Sequence, residues 1–359
     1  WSSDVCSSDL KQQELQEAMD KAQKIITEGD FESYDKVEGL VREALQVGEV
    51  EKNVSDIFTG LDTVLEEDYR HPIPMGITGI DNLLKGGLAK GEIGVILAPT
   101  GVGKTTILTK IANTAFNMGY NVLQIFFEDN PKIVQRKHFT IWTGIPPDNL
   151  AQHKEEVLGK ITEIQETMKN KLILKKLASD TMTMSQIKNQ VRKMIADGTK
   201  IDMILMDYID CILPESSAKD EWKAEGSVMR GFEAMCHELD IAGWTATQGN
   251  RSSISSEVVT TDQMGGSIKK AQVGHVIITV AKTLQQKEMN LATIAITKSR
   301  LGKDGVVFEN CKFNNELLEI DTESSVTFLG FEEQQEERKR DRVKELLEKR
   351  KQREQQKTT

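Results

Sequence analysis

Ile93-Gly94-Val95-Ile96-Leu97-Ala98-Pro99-Thr100-Gly101-Val102-Gly103-Lys104-Thr105-Thr106 is the stretch whose reading decides the fold. A short apolar run bounded by turn-forming residues predicts a buried strand over 93–98, and the amphipathic segment behind it predicts a helix over 104–118. Between them, residues 98–105 fit the phosphate-loop pattern, with Ala98 in the first glycine position. Small residues let backbone N–H groups close around phosphate oxygens, and the helix N-terminus that follows adds a favourable dipole. Ala98, Pro99, Thr100, Gly101, Val102, Gly103, Lys104, Thr105 and Thr106 are therefore the expected nucleotide cradle. Within it Lys104 would reach the β- and γ-phosphates of ATP, and the Thr105 hydroxyl would ligate Mg²⁺.

Such a loop needs partners at the tips of neighbouring strands. Ile204-Leu205-Met206-Asp207 is an apolar strand closing in a carboxylate, which makes Asp207 the candidate metal-side acid; Asp202 precedes that strand and Asp210 lies past its tip. Val122 to Phe127 ends in Glu128-Asp129, and hydrolysis needs a base that orients and polarises the attacking water. Glu128, 24 residues after Lys104, is the candidate; Asp129 is the neighbour that could hold it or cap the next helix. Gln248, at the end of strand 241–247, could hydrogen-bond a γ-phosphate, against the plainer reading of a surface amide. Arg300 is fixed positive and can fork onto developing phosphate charge, and Lys298 could reach the same phosphates. A rim salt bridge is the plainer alternative for Arg300.

Further outward, short apolar runs alternate with amphipathic segments. Strands are expected at 93–98, 122–127, 172–177, 202–207, 241–247, 275–280, 291–297 and 305–310. Helices are expected at 104–118, 131–142, 151–169, 184–197 and 220–239. The alternation specifies an α/β fold with a mainly parallel central sheet, and the short turns between the last strands suggest an antiparallel edge. His71-Pro72-Ile73-Pro74 is extended and interrupts helix, so it marks a boundary. Residues 11–70 are expected to be a helical N-terminal remnant or linker, 71–330 the ATPase domain, and 331–359 a charged tail, helical or disordered. Residues 1–10, Trp-Ser-Ser-Asp-Val-Cys-Ser-Ser-Asp-Leu, resemble an in-frame translation of a sequencing adapter and are expected to be foreign.

The 359 residues carry a net charge of −10, which at face value argues against nucleic-acid binding. The charge is uneven: residues 1–70 hold −11 and the remainder about +1, so the bulk of the chain is nearly neutral. Nothing approaches a membrane span, and, with no positively charged start before an apolar run, no secretory signal is expected. Cys6, Cys211, Cys236 and Cys311 have neither metal-site nor disulfide-framework spacing. The expected setting is cytoplasmic, in a bacterium or a phage-infected host.

Several blocks, in order, resemble the RecA-type ATPase core and most closely the motor domain of DnaB-family replicative helicases, including phage versions. Gly76 to Asp81, Gly86-Gly87-Leu88 and Gly91-Glu92 resemble the family's approach to the phosphate loop. Phe127-Glu128-Asp129-Asn130 stands where the family has Ser-Leu-Glu-Met, and Leu205-Met206-Asp207-Tyr208 is similar to its Ile-Asp-Tyr block. Thr247-Gln248-Gly249-Asn250-Arg251 resembles the Ser-Gln-Leu-Asn-Arg block, and Lys298-Ser299-Arg300-Leu301-Gly302 the Lys-x-Arg-x-Gly block that reaches into the next subunit's nucleotide. The chain departs from the pattern in lacking the Leu and Met around Glu128 and the Asn-Gly-Pro that often follows the arginine.

The resemblance implies an ATP-dependent DNA helicase that needs Mg²⁺, forms a homo-oligomeric ring, commonly a hexamer, and tracks 5′–3′ on single-stranded or forked DNA. A primase or helicase loader is the implied further partner. DNA would touch loops after Asp207 and after Gln248, with Asn250, Arg251, Ser252, Gly265, Gly266 and Lys269 the candidate contacts. A RecA- or RadA-like recombination or repair ATPase, a KaiC-like regulatory ATPase and a nucleotide-gated adaptor stay open. The 103 residues from Lys104 to Asp207 resemble the helicase spacing better than the shorter recombinase one.

Overall fold

A strand buried on both faces needs apolar side chains on both, and Ile93–Ala98 (β1) supplies them: all six residues are buried. In the computed structural model, Ile93, Val95 and Leu97 enter one core and Ile96 and Ala98 the other. Gly94 is the gap in the run because the Trp244 ring lies over it; a Cβ there would stand 2.3 Å from Trp244 Cζ3. The structure describes residues 3–28, 37, 57–58, 61–66, 69–215, 221–250, 258–263, 268–322 and 329–330.

The described chain divides into two compact units, between Tyr69 and Arg70. The first contains α1 (Ser3–Glu28), which buries Ala18 and Ala22 and half-buries Leu15 and Ile25 along one face, and the single turn α2 (Leu61–Val64). The helical runs expected between them lie largely outside the described residues, as does the tail 331–359.

The second unit opens on a latch. Arg70 forks onto Glu92 (Nη2–Oε2 2.6 Å, Nε–Oε1 3.1 Å) and donates to the Gly87 carbonyl at 3.1 Å. Asp81, in α3 (Thr78–Leu83), accepts the amides of Met75, Gly76 and Ile77. These contacts fix the extended segment that leads into β1.

Helices then alternate with strands: α4 (Lys104–Asn117), β2 (Val122–Phe126), α5 (Pro131–Thr143), α6 (Lys154–Thr167), β3 (Leu172–Lys176), α7 (Met184–Ala196) and β4 (Met203–Asp207). There follow α8 (Glu221–Glu238), β5 (Ala242–Gln248), α9 (Ile268–Val273), β6 (Val276–Ala281) and α10 (Leu284–Glu288). Last come β7 (Leu291–Ser299), β8 (Val306–Asn314), β9 (Glu319–Asp321) and β10 (Leu329–Gly330). Local sequence sets the helix ends. Asn130 caps α5 by accepting the Lys132 amide, with Pro131 at the first helical position and Gly144 left-handed at the end. Thr183 and Gln186 close a reciprocal capping box on α7.

The sheet runs β10-β8-β7-β6-β1-β5-β4-β2-β3, with β9 paired on β8. From β6 to β3 every pairing is parallel, and β6–β7–β8 are antiparallel, as the short turns suggested. Ile107, Leu108 and Ile111 of α4 pack on one face; Ile187 and Val191 of α7, Phe232 and Met235 of α8 and Ala271 of α9 pack on the other. Among the described residues, no helix is long and apolar enough to cross a membrane.

Candidate active site

Parallel strands end on a common edge, and the register decides which residues meet there. Ala98 on β1 pairs with Gln248 on β5, and Phe126 on β2 pairs with Asp207 on β4. The phosphate loop, Gln248, Asp207 and Glu128 thus leave the sheet together. They line a cleft of about 280 Å³ bounded by Thr100, Gly101, Gly103, Lys104, Thr105, Phe126, Glu128, Asp129, Asp207, Tyr208, Gln248 and Asn315.

Gly103 precedes α4 at φ 123°, and a Cβ there would lie 2.5 Å from Asn315 Oδ1 and 2.7 Å from the Phe313 ring. Only glycine tolerates that conformation and that approach. Helix α4 therefore begins with Lys104, Thr105 and Thr106, whose amides have no acceptor in the preceding turn and are available to an anion.

Lys104 Nζ donates to the carbonyls of Ala98 at 3.3 Å and Pro99 at 3.4 Å, and lies 5.7 Å from the centre of the Tyr208 ring. Burial pulls its pKa below the ordinary lysine value, while the charges of Asp207, Asp210 and Glu128 act the other way. Two long bonds hold this ammonium loosely, so phosphate oxygens can replace them. Asp207 is buried, which raises its carboxyl above the usual range even though the Thr105 hydroxyl bonds to it. A buried carboxylate beside a threonine hydroxyl is a pair of hard oxygen donors, and a divalent cation there would relieve the desolvated charge. The donor set therefore fits Mg²⁺, with Thr105 and Asp207 the residues that would hold it. Among the described residues there is no group of three or more His, Cys, Asp or Glu that could hold a metal ion.

Glu128 accepts a hydrogen bond from the Tyr208 hydroxyl at 3.2 Å. Asp129 pairs with Lys137 at 2.7 Å; of the two roles open to it from the sequence, helix capping falls instead to Asn130. Gln248 Nε2 donates to Thr100 Oγ1 at 2.5 Å, so the amide sits directly on the phosphate loop. Asp202 lies at the opposite end of β4, where it accepts from the Asn121 amide and side chain.

Lys298 and Arg300 are not in this cleft. Val276, at the start of β6, pairs with Gly94 on one side and Ser299 on the other, so β7 ends where β1 begins. The length of β1, five steps of roughly 3.3 Å, separates that edge from the phosphate loop. There Lys298 Nζ donates to the carbonyls of Ala271, Gln272 and Gly274 at 2.7, 2.8 and 2.7 Å, and Arg300 Nη2 donates to Gln272 at 2.9 Å. Burial, and then the charge of Arg300, push Lys298 down to about 8.

Asn315, which accepts from the Thr106 hydroxyl at 3.0 Å across 209 residues, escaped sequence reasoning, and Tyr208 and Asp210 entered it only as neighbours of Asp207. No local pattern announces Asn315, whereas Tyr208 and Asp210 stand beside a recognised strand tip. Of the expected DNA contacts, Asn250 is described, with its amide bonded to the Gln263 carbonyl at 2.7 Å. Lys269 lies on α9, and Arg251, Ser252, Gly265 and Gly266 fall outside the described residues. Cys211, Cys236 and Cys311 are buried.

The chain matches DNA repair protein RadA of Aquifex aeolicus (strain VF5), 31% identical over 125 residues, which is 35% of this chain and 27% of that protein. It thus spans about a quarter of the length of that curated relative. Among solved structures, a DnaB-like replicative helicase described together with its interactions with primase aligns at TM-score 0.67 and 17% identity, covering 86% of this chain and 76% of the other. A second solved structure, described as an ATPase domain, aligns at TM-score 0.60 and 17% identity, over 79% of this chain and 97% of the other. At such identities the two structures speak for the fold. The family described as the DnaB-like helicase C terminal domain matches residues 72–321, well over half of the chain, and the chain belongs to that family.

Proposed function

We propose that this protein is an ATP-driven DNA helicase that assembles into a ring, hydrolyses ATP at its subunit interfaces, and moves 5′–3′ along single-stranded DNA to unwind duplex. The observation that carries the reading is the separation of its catalytic groups. Lys104, Thr105, Glu128, Asp207 and Gln248 share one edge of the sheet, whereas Arg300 stands on the other, out of reach of its own cleft. A fixed cation so placed can serve a pocket only in another subunit, and a ring closes that requirement for every copy.

In the reaction, Lys104 and the first amides of α4 bind the β- and γ-phosphates, and Gln248 hydrogen-bonds a γ-oxygen in place of Thr100. Glu128, held by Tyr208, takes a proton from the attacking water as its oxygen bonds to the γ-phosphorus. The bond from that phosphorus to the bridging oxygen breaks, and ADP and phosphate leave. Mg²⁺ bound by Thr105 and Asp207 would supply charge neutralisation at the phosphates. Arg300 of the preceding subunit meets the charge that develops on the transferred group. Primase is proposed as a partner on the strength of the DnaB-like relative described with it.

The test is unwinding of forked DNA carrying a 5′ or a 3′ single-stranded tail, with sizing of the oligomer alongside. Unwinding that requires ATP, Mg²⁺ and the 5′ tail is expected. The segment shared with the RadA protein favours one competing reading, a recombination or repair ATPase. Homology-dependent strand exchange without unwinding would establish it and remove the helicase.

A further inference from the structure

One carboxylate joins the two edges of the sheet. Asp210 lies in the 3-10 turn Ile209–Cys211, just past the tip of β4. Both its oxygens accept from the Thr247 hydroxyl at 3.0 Å, and Oδ2 also accepts from the Gln248 backbone amide at 3.0 Å. Oδ1 takes Lys270 Nζ at 2.5 Å, and the Lys270 side chain is only 4% exposed. A buried ammonium is stable only with such a partner.

Lys270 belongs to α9, and α9 carries the contact onward. Its carbonyls at Ala271 and Gln272, and that of Gly274 just beyond, take all three protons of Lys298, while Gln272 also receives Arg300. Cations at a helix C-terminus are favoured by the carbonyls exposed there. Helix α9 is six residues long and packs Ala271 into the core, and Lys270 directly precedes Ala271 and Gln272, so displacement at Lys270 is felt at their carbonyls. It touches Asp210 at the nucleotide edge and Lys298 and Arg300 at the far edge. At the near end, Gln248 is tied both ways: its side chain to Thr100 of the phosphate loop and its amide to Asp210.

We propose that Asp210 and Lys270 are positioning residues that couple a subunit's own nucleotide pocket to the cation it offers its neighbour, Arg300. Their ion pair anchors α9 to the sensor end of β5, and α9 sets where Lys298 and Arg300 stand. When Gln248 exchanges Thr100 for a phosphate oxygen, the movement of the β5 tip passes through Asp210 to α9. The chemistry accounts for the residue types. Two carboxylate oxygens serve an ammonium, a hydroxyl and an amide together, which the single carbonyl oxygen of an asparagine cannot do. The inference rests on the reading of Arg300 as acting in a neighbour's pocket.

Mixed oligomers separate the two claims. Wild-type subunits are combined with an excess of full-length donors carrying Glu128→Gln, whose pockets hold ATP without turning it over. ATP turnover per wild-type pocket then reports the Arg300 donated to it, in oligomers checked by sizing. Adding Arg300→Ala to the donors should lower that turnover at least tenfold. Adding Asp210→Asn instead should lower it at least threefold through kcat, with KM for ATP unchanged. Lys270→Gln donors should reproduce the deficit, and Lys270→Arg donors should recover more than half of it. Loss with Arg300→Ala donors but full turnover with Asp210→Asn donors overturns the coupling and leaves action in trans intact. Full turnover with both overturns the coupling together with the reading beneath it. If Asp210→Asn subunits fail to enter the oligomer, Lys270→Gln donors carry the same comparison and the same outcomes.

Discussion

Lys104 and Lys298 are two half-buried lysines, both shifted below the ordinary lysine pKa by burial, and they do opposite things. Lys104 rests on two carbonyls at 3.3 and 3.4 Å, near the limit of a hydrogen bond. Lys298 grips three at 2.7 to 2.8 Å and has no proton left over. The first is an ammonium waiting for a better acceptor. The second already has its acceptors and holds the end of α9. That leaves neighbouring Arg300, whose five donors include the one bonded to Gln272, as the cation that can reach outward. The difference teaches that a buried charge marks a ligand site when its protein bonds are poor and a structural tie when they are good.

The largest effect expected from this contrast is at Lys104. Lys104→Ala should take ATP turnover to the assay floor and abolish the rise in melting temperature on adding ATP, while the nucleotide-free protein melts where the wild type does. A large loss of nucleotide-free stability would break the comparison, since it would make Lys104 a tie as well. Next comes Arg300→Ala, with turnover reduced about 10³-fold, the effect the proposed arginine-finger role carries, and nucleotide binding by isolated subunits retained. Retained turnover in a verified oligomer would return Arg300 to the role of a rim salt bridge.

Lys298→Met should show the reverse of Lys104→Ala. Three carbonyls lose their donor, so we expect about 2 kcal/mol of lost stability in denaturant titrations, with ATP affinity unaffected. Unchanged stability would show that the three short bonds contribute nothing net.

The smallest effect is a pH dependence. As pH rises through about 8, Lys298 gives up its proton, and a neutral amine has two donors for three carbonyls. Turnover should fall severalfold above that pH, and Lys298→Arg should move the falling limb upward. Stability should behave differently. Between about 8 and the ordinary value of 10.5 the unfolded chain keeps a proton that the folded one has lost, so the Lys298 contribution to stability rises with pH in that window. A fall in both quantities together, unaltered in Lys298→Arg, would assign the limb to another group.

Much of this was legible in the sequence. The apolar run of β1, the small residues behind it and Lys104-Thr105 form one contiguous message, because strand, loop and helix N-terminus are consecutive in the chain. The same holds for β2 running into Glu128 and β4 into Asp207, and expected and observed element bounds differ by a few residues at most. The net charge of −10 was the least informative feature, since nearly all of it precedes residue 71.

What sequence by itself determined is therefore what is written locally: strand against helix, the chemical type of each strand tip, the phosphate loop and the mainly parallel sheet. Tertiary structure alone decided which tips are neighbours. The order β1-β5-β4-β2 sets Gln248 beside Ala98 and Asp207 beside Phe126, and no local signal specifies that order. It also decided that the antiparallel turn of β7 carries Arg300 to the far edge, that Asn315 closes the cleft from 209 residues away, and that Asp210 meets Lys270. The physical reason is that hydrogen-bond register and side-chain burial are settled between distant segments, where the chain's own order exerts no constraint.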